Sequence, residues 1–294
     1  MHTIAAVDLG KSRCRVVVVD AGERRTLTGT GSPGLATPDG VETALAAILP
    51  LTEQAGRFDR IGVGVAGAWG APGAAADLAE RLAVMTCARG AVTSDVVTAH
   101  LGALEGTAGT LLIAGTGAAA FGVDGEGIRL IDGWGPDIGD LGSGSWLGRE
   151  GVRAALRARD GLGERTALSD AIAEHIAPAG DAVAWLAAGT PTARQLATVA
   201  PLVLDAAEAG DQVSVAIAAE AVHLLTASAV AASAEPEVVL HGGLTDHAWF
   251  RAALDRSLTT AGRTVVSARG DALDGAALLA RRTDTFHERF VHRA

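Results

Sequence analysis

The chain has 294 residues and a formal net charge of −10, and 49% of its residues are hydrophobic against 20% charged. This balance predicts a globular protein with one large domain or two ordinary ones and excludes a disordered chain. The acidic charge argues against nucleic acid or an anionic membrane as partner, although a small anion could still bind at local backbone donors.

Cysteine content and hydropathy favour a cytoplasmic protein without a membrane span. Cys14 and Cys87 form no C-x-x-C pair and cannot make a disulfide framework, which favours a reducing cytoplasm. The N-terminal MHTIAAVDLGKSR lacks the basic-then-apolar order of a secretory signal. The longest apolar stretch, 213–234, contains Glu220 and His223, so we expect a buried alanine-rich helix and no membrane span.

One order of elements occurs twice along the chain. Strands are predicted at 3–10, 13–20 and 24–31, then a helix at 38–56, a strand at 60–68, a helix at 74–85, and a strand at 91–95 before another helix. A second set of three strands begins at 109–117, and helices and strands follow to the end of the chain. We therefore predict an α/β protein with two domains of related plan, 1–108 and 109–294, and a cleft between them.

Three glycine-containing turns are candidate phosphate sites. DLGKS (8–12) and GTG (115–117) join the first two strands of each half, and HGG (241–243) stands between a strand and a helix. Glycine lets backbone N–H groups converge on an anion, and Ser12 and Thr116 add hydroxyl donors. A single glycine-containing turn between two strands is more often only a hairpin turn. The prediction of a phosphate site therefore depends on two such turns facing a triphosphate across the cleft. No Walker A or G-x-G-x-x-G motif is present, which argues against P-loop and Rossmann sites.

Two aspartates accompany the motifs of the first half. Asp95 lies between a strand and a helix, where it is either a helix cap or a general base that the helix N-terminus keeps ionised. Asp8 lies in the first turn, where it either stabilises the turn or binds a Mg²⁺-bound water. Each position thus has a structural and a functional interpretation.

The segment GWGPDIGDLGSGSW (133–146) is a candidate sugar loop. Asp140, flanked by glycines, suits paired sugar hydroxyls, and Trp134 or Trp146 could pack on the apolar face of a sugar or brace the loop. Ordinary core packing is the alternative for both tryptophans, and we favour it for Trp146 because this residue begins a helix.

Together these motifs resemble the BadF/BadG/BcrA/BcrD ATPase family, within the actin-like ATPase superfamily, and most closely its N-acetylglucosamine and glucosamine kinase branch. VDLGKSR and GTG resemble the two phosphate motifs, TSDVVTA the segment with the catalytic aspartate, and VVLHGGL the adenosine motif. GWGPDIGDLGSGSWLGREGVRAAL is the most specific match, and GAALLA resembles the closing helix. The matches run from residue 7 to about residue 280.

The resemblance implies two ribonuclease H-like domains flanking a nucleotide cleft, with ATP and Mg²⁺ as cofactors and transfer of the γ-phosphoryl group to a sugar hydroxyl at C6. By position, Asp95 would be the catalytic base and Asp8 would act on the metal side. The implied nucleotide contacts are Gly10, Lys11, Ser12, Gly115, Thr116, Gly117, Gly242 and Gly243. The implied sugar contacts are Trp134, Gly135 and Asp140.

Several positions depart from the family pattern and keep alternatives open. Leu9 and Lys11 replace glycines of the first phosphate motif. Lys11 either contacts phosphate or narrows the space in which the backbone N–H groups of this turn could bind an anion. Leu141 replaces a glutamate and Leu35 an asparagine, so the acceptor is N-acetylglucosamine, glucosamine or another amino sugar. An ATPase-type activator and a non-catalytic sugar sensor of the same fold are the rival functions, although the two cysteines are not arranged to bridge a cluster. A homodimer is a further option.

Overall fold

The computed structural model describes residues 2–20, 22–188 and 191–294. The strands are β1 Ile4–Leu9, β2 Arg13–Asp20, β3 Glu23–Thr30, β4 Arg60–Val65, β5 Arg89–Ser94, β6 Gly109–Ala114, β7 Ala118–Asp124, β8 Gly127–Asp132, β9 Glu237–His241, β10 Thr264–Val266 and β11 His292–Arg293. The α-helices are α1 Gly40–Ala55, α2 Pro72–Thr86, α3 Asp95–Leu104, α4 Gly144–Arg159, α5 Ala167–Ile176, α6 Ala182–Leu186, α7 Thr192–Ala197, α8 Ala200–Glu208, α9 Gln212–Ala232, α10 Ala248–Thr260 and α11 Ala272–Arg281.

The first unit, Met1–Ala108 with Ser267–Ala294, contains a six-stranded sheet in the order β11-β5-β4-β1-β2-β3. Strands β1 to β3 form an antiparallel meander, whereas β1, β4 and β5 run parallel. Helices cover both faces of the sheet, so β1 is apolar on both sides. Val7 packs in the core that α1 and α2 complete, while Ala6 packs against Leu273 and Ala276 of α11.

The second unit, Gly109–Val266, repeats this plan in a five-stranded sheet. Its order is β10-β9-β6-β7-β8, with an antiparallel meander of β6 to β8 and parallel pairing of β6, β9 and β10. The predicted α/β architecture with two domains of related plan is therefore confirmed. The additional helices α4 to α8 lie between β8 and α9 in the sequence.

The C-terminal segment packs differently from the sequence expectation, which assigned 109–294 to one domain. Helix α11 packs on β1, β4 and α3, so Ser267–Ala294 belongs to the first unit. The reason is a close backbone contact: a Cβ at Gly102 would overlap the Asp271 carbonyl oxygen, and one at Gly275 would overlap that of Thr98. Glycine at these positions lets α11 lie directly against α3.

Helix α9 is the one helix in the described ranges that is long and apolar enough to cross a membrane. Its buried residues recur every three or four positions, as expected for a helix with one face on a core. This face packs on the sheet of the second unit and on α8 and α10, and Glu220 and His223 are exposed. The packing agrees with the predicted core helix.

A buried histidine pair fixes the C-terminal segment to α3. His287 Nε2 and His100 Nδ1 lie 3.0 Å apart, and both side chains are fully buried. Burial, and secondarily the facing His100, lowers the pKa of His287 to about 3. The folded protein therefore keeps His287 neutral at pH values where an exposed imidazole would be charged.

This pair predicts that acid destabilises the fold. Between the ordinary imidazole pKa of 6.5 and the folded value of about 3, the unfolded state binds the proton and the folded state does not, so stability falls as pH falls. Between pH 7 and pH 4 this group should remove on the order of 3 kcal/mol of unfolding free energy. Urea unfolding across this range should give a shallower pH dependence for His287→Gln than for wild type.

The matched control is His2→Gln, because His2 is exposed and the chemical change is the same. This variant should keep the wild-type pH dependence. Equal slopes for wild type and His287→Gln would show that the buried pair contributes nothing to acid sensitivity.

Candidate functional site

The first glycine turn connects β1 to β2. Its Gly10 N–H donates to the Arg13 carbonyl oxygen at 3.0 Å, and the Gly10 carbonyl accepts from Ser32 N at 3.2 Å. The side chains of Lys11 and Ser12 are exposed at the turn. Because the Gly10 N–H is used inside the hairpin, the groups that this turn presents to solvent are the Lys11 ammonium and the Ser12 hydroxyl.

Asp8, the candidate metal-side carboxylate, is held by an arginine. Arg15 donates to Asp8 Oδ2 through Nη2 at 2.7 Å and Nε at 3.1 Å, and Arg15 Nη1 reaches Asp271 Oδ2 at 3.2 Å. Asp271 is the N-cap of α11. Both bonds to Asp8 use one carboxylate oxygen, so Oδ1 is the oxygen that could face a cation. Arg15 was not among the predicted site residues, although it lies directly opposite Asp8 in the β1–β2 hairpin.

Asp95, the candidate base, is the first residue of α3 and follows β5 directly. Its Oδ1 accepts from Val96 N at 2.9 Å and from Ser94 Oγ at 3.0 Å. Burial raises the pKa of Asp95 and the charge of Asp8 adds to this effect, while the two hydrogen bonds oppose it. The helix N-terminus favours ionised Asp95 through the Val96 N–H, as expected, but desolvation outweighs this effect on the pKa. A raised pKa brings the carboxylate closer to the range in which a general base works.

Asp8 and Asp95 occupy the same edge of the first sheet. In the parallel strands, Asp8 is in register with Gly64, and Gly64 is in register with Thr93. Both carboxylates thus stand where the parallel strands end, with β4 between them. This edge is where ligands bind in open α/β sheets.

Leu35, which stands where the family has an asparagine on the sugar, is only 2% exposed and packs in the core of the first unit. Its N–H donates to the Ala66 carbonyl oxygen at 2.8 Å. The apolar side chain at this position is therefore explained by packing.

The second glycine turn, Gly115–Gly117, is clamped to the start of α4. The carbonyl oxygens of Gly115 and Thr116 accept from the N–H groups of Gly144 and Ser145 at 2.8 and 3.1 Å. The Thr116 side chain is exposed. This clamp fixes the turn and leaves the exposed Thr116 side chain as a candidate hydroxyl donor.

The third turn lies beside the second. Strands β6 and β9 are parallel neighbours, and a Cβ on Gly115 would lie 3.8 Å from Gly242 Cα and 3.9 Å from Gly243 N. Gly242 has φ 108° and ψ 157°, a conformation that is essentially limited to glycine. The structure therefore brings together two of the three predicted nucleotide turns, both in the second unit.

The signature loop is anchored by an aspartate that the sequence analysis did not identify. Asp132 accepts from the N–H groups of Asp140 and Leu141 at 2.9 and 2.7 Å. A strand-ending aspartate directly before Gly-Trp-Gly was the available signal, because such residues often bind nearby backbone donors. The anchor holds Asp140 against the second turn, where a Cβ on Gly117 would lie 2.8 Å from Asp140 Oδ2.

The aromatic residues of this loop have different environments. Trp134 is 72% exposed, next to Gly135, whose carbonyl accepts from Gly139 N at 2.8 Å. Trp146 packs against the core of the second unit, which confirms the core interpretation. Trp134 is therefore the tryptophan of this loop that can contact a ligand.

Within the described ranges, no group of three or more His, Cys, Asp or Glu side chains is placed to hold a metal ion. A preformed cage of protein ligands is thus not found there. A site of the magnesium type, which uses one or two carboxylates together with waters and substrate oxygens, needs no such group.

The sequence model of the BadF/BadG/BcrA/BcrD ATPase family matches residues 6–280. An N-acetyl-D-glucosamine kinase of Dictyostelium discoideum is 32% identical over 121 residues, which are 40% of this chain and 38% of that protein. An N-acetylmuramic acid/N-acetylglucosamine kinase of Clostridium acetobutylicum is 33% identical over 133 residues, 44% of each. The aligned regions thus span less than half the length of these relatives.

Similarity of structure extends further than similarity of sequence to the curated relatives. A solved protein of Chromobacterium violaceum, provisionally named an N-acetylglucosamine kinase, has a TM-score of 0.75 and 27% identity, covering 95% of this chain and 99% of that one. This similarity confirms the predicted fold class, two ribonuclease H-like domains of the actin-like type.

The adjacent glycines of the third turn give a matched test of the nucleotide site. An alanine Cβ at Gly242 would lie 2.6 Å from the Ala114 carbonyl oxygen and would strain the backbone, whereas one at Gly243 meets nothing within 4 Å. We expect Gly242→Ala to lose about 1–3 kcal/mol of unfolding free energy and to weaken ATP binding. Gly243→Ala should keep the wild-type stability in the same urea titration, because its Cβ meets no protein atom. Equal stability of the two variants would contradict the backbone assignment.

Proposed function

Because the chain belongs to the BadF/BadG/BcrA/BcrD ATPase family, we propose that it is an ATP-dependent sugar kinase. It transfers the γ-phosphoryl group of Mg·ATP to a hydroxyl, at C6, of an amino sugar such as N-acetylglucosamine or glucosamine. The observation that carries this proposal is the pair Asp8 and Asp95 at one sheet edge, with the pKa of Asp95 raised by burial. The names of the similar proteins support the choice of acceptor class.

Asp95 is the proposed general base. Phosphoryl transfer requires mainly positioning and neutralisation of charge, and the base orients the attacking hydroxyl and accepts its proton. Ser94 Oγ and Val96 N fix one carboxylate oxygen of Asp95. The other oxygen, Oδ2, then faces the acceptor hydroxyl, and such a base typically contributes about 10²–10⁴-fold to the rate.

Asp8 is the proposed metal-side residue. Its carboxylate fits Mg²⁺, which prefers oxygen ligands and retains several waters, and Arg15 occupies only one of its oxygens. When bound, Mg²⁺ supplies neutralisation of the phosphate charge. The role of Arg15 is to keep the Asp8 side chain in one orientation.

The turns of the second unit are the proposed nucleotide contacts. Gly115, Gly242 and Gly243 form a backbone surface without side chains, and a Cβ on Gly242 would overlap its neighbours. Such a surface fits the close approach of a phosphate or a nucleoside. Thr116 adds an exposed hydroxyl donor to this surface. Lys11 and Ser12, exposed in the turn of the first unit, are proposed phosphate donors of that turn.

The signature loop is the proposed sugar contact. The Asp140 carboxylate suits paired sugar hydroxyls, and the exposed ring of Trp134 suits the apolar face of a sugar, with Gly135 giving the loop its close turn. A cytoplasmic location follows from the ATP requirement and agrees with two free cysteines.

Replacement of the proposed base tests the mechanism directly. Asp95→Asn keeps the shape of the side chain but cannot accept the proton, so we expect amino-sugar phosphorylation to fall at least about 100-fold. ATP affinity should stay within about twofold of wild type, because the substitution leaves the glycine turns intact. The measurements are sugar-dependent ADP release and calorimetric titration of ATP.

Asp77→Asn is the control, since it makes the same chemical change on an exposed position of α2. It should retain wild-type turnover. Near-normal turnover in Asp95→Asn would remove Asp95 from the role of base, and sugar-independent ADP release by wild type would favour an ATPase.

A further inference from the structure

A recess of about 80 Å³ lies beside Asp95 in the first unit. Ser94 lines it, and Ser94 Oγ donates to Asp95 Oδ1 at 3.0 Å, so the recess begins one hydrogen bond from the proposed base. One water takes about 30 Å³ in the liquid, so the recess holds roughly two or three waters. It can therefore take a substituent of a few heavy atoms but not a second sugar ring.

Aromatic and small apolar groups form most of its walls. The rings of Trp69 and Phe290 are stacked with centroids 4.6 Å apart, and Ala68 and Pro72 extend the apolar surface. These groups offer few hydrogen-bond partners. A methyl group gains from contact with such a surface, whereas a charged group loses its hydration there.

The ionisable side chains that line the recess are basic. The Arg289 guanidinium carbon lies 4.7 Å from the centroid of the Phe290 ring, and His292 also lines the recess. The arginine charge repels the ammonium group of an unmodified amino sugar. The guanidinium can donate a hydrogen bond to a carbonyl oxygen. A neutral acetamido group combines such an oxygen with a methyl group.

Part of the wall, formed by Arg289, Phe290 and His292, comes from a segment beyond the family match, which ends at residue 280. This segment is fixed by its backbone: β11 pairs with β5, and Thr93 Oγ1 donates to the Phe290 carbonyl oxygen at 2.8 Å. Side-chain truncation at Phe290 leaves these bonds in place. The side chains of the segment can thus be tested without removing the segment from the sheet.

We propose that this recess is an acceptor subsite that binds the N-acetyl group of the sugar, with Trp69, Phe290 and Arg289 as specificity-determining residues. The proposal rests on the proposed kinase function and deepens it. Acetamido binding at this place selects N-acetylated amino sugars over sugars with a free amine. Two of these specificity-determining residues, Arg289 and Phe290, then lie outside residues 6–280, which the family model matches.

The test compares N-acetylglucosamine with glucosamine in wild type, Trp69→Ala and Phe290→Ala. Wild type should have the higher kcat/KM for N-acetylglucosamine, and each truncation should lower the preference about tenfold or more, as expected for lost apolar contact in a pocket. Arg289→Gln should lower the preference mainly by raising kcat/KM for glucosamine. Phe286→Ala is the matched control, because Phe286 is exposed in the same segment and does not line the recess.

Calorimetric binding of both sugars separates this proposal from the kinase function. The subsite is supported if wild type binds N-acetylglucosamine more tightly than glucosamine and if Trp69→Ala and Phe290→Ala, when folded, lose this preference. This result supports the subsite even if no variant shows turnover. Unchanged preference in Phe290→Ala and Arg289→Gln, or tighter wild-type binding of glucosamine, overturns it. Absence of phosphorylation of any amino sugar overturns the kinase function instead. Thermal melts check that each variant folds. If Trp69→Ala does not fold, Trp69→Phe replaces it in both measurements.

Discussion

The first unit depends on α11 lying directly against the backbone of α3. Glycine at Gly102 and Gly275 makes this contact possible, since a Cβ on either would overlap an opposing carbonyl oxygen. The contact also brings Asp271, the cap of α11, to Arg15, which in turn holds Asp8. The orientation of the proposed metal-side carboxylate is thus coupled to the packing of a helix from the far end of the chain.

Asp95 and Asp124 show how desolvation and neighbouring charge decide the pKa of a carboxylate. Asp124 accepts backbone bonds from Ala234 and Glu126 and pairs with the cation of Arg129, and these contacts lower its pKa. Asp95 also accepts backbone and hydroxyl hydrogen bonds, but desolvation exceeds their effect and the nearby charge is the carboxylate of Asp8. An aspartate paired with a cation is a structural anchor, whereas a desolvated one near a second carboxylate is more reactive toward a proton.

The sequence predicts the elements well because their patterns are local. The strand–glycine–strand order in each half, and the positions of Asp8 and Asp95 at the ends of strands, need only periodicity and turn chemistry. The return of α11 to the first unit could not be predicted this way, since its cause is backbone contact between distant segments. Asp132 and Arg15 were missed although their partners are local, since Asp132 binds N–H groups of its own loop and Arg15 lies opposite Asp8 in the first hairpin. At Leu35 the motif comparison indicated only a lost polar partner, and the packing of this side chain in the core could be seen only in the folded unit.

The segment after residue 280 meets a structural requirement before it serves any selectivity. Strand β5 would otherwise be the exposed edge of the first sheet, and an unpaired edge is a site for unwanted association. Pairing with β11 covers that edge through backbone bonds, and His287 of the same segment is fixed by burial against His100. Phe290 is held through its carbonyl oxygen, so its side chain can vary while the fold and the carboxylates at the strand ends stay in place. Selectivity for the acceptor can change at Phe290 or Arg289 without altering Asp95, and this separation follows from which atoms hold the segment in position.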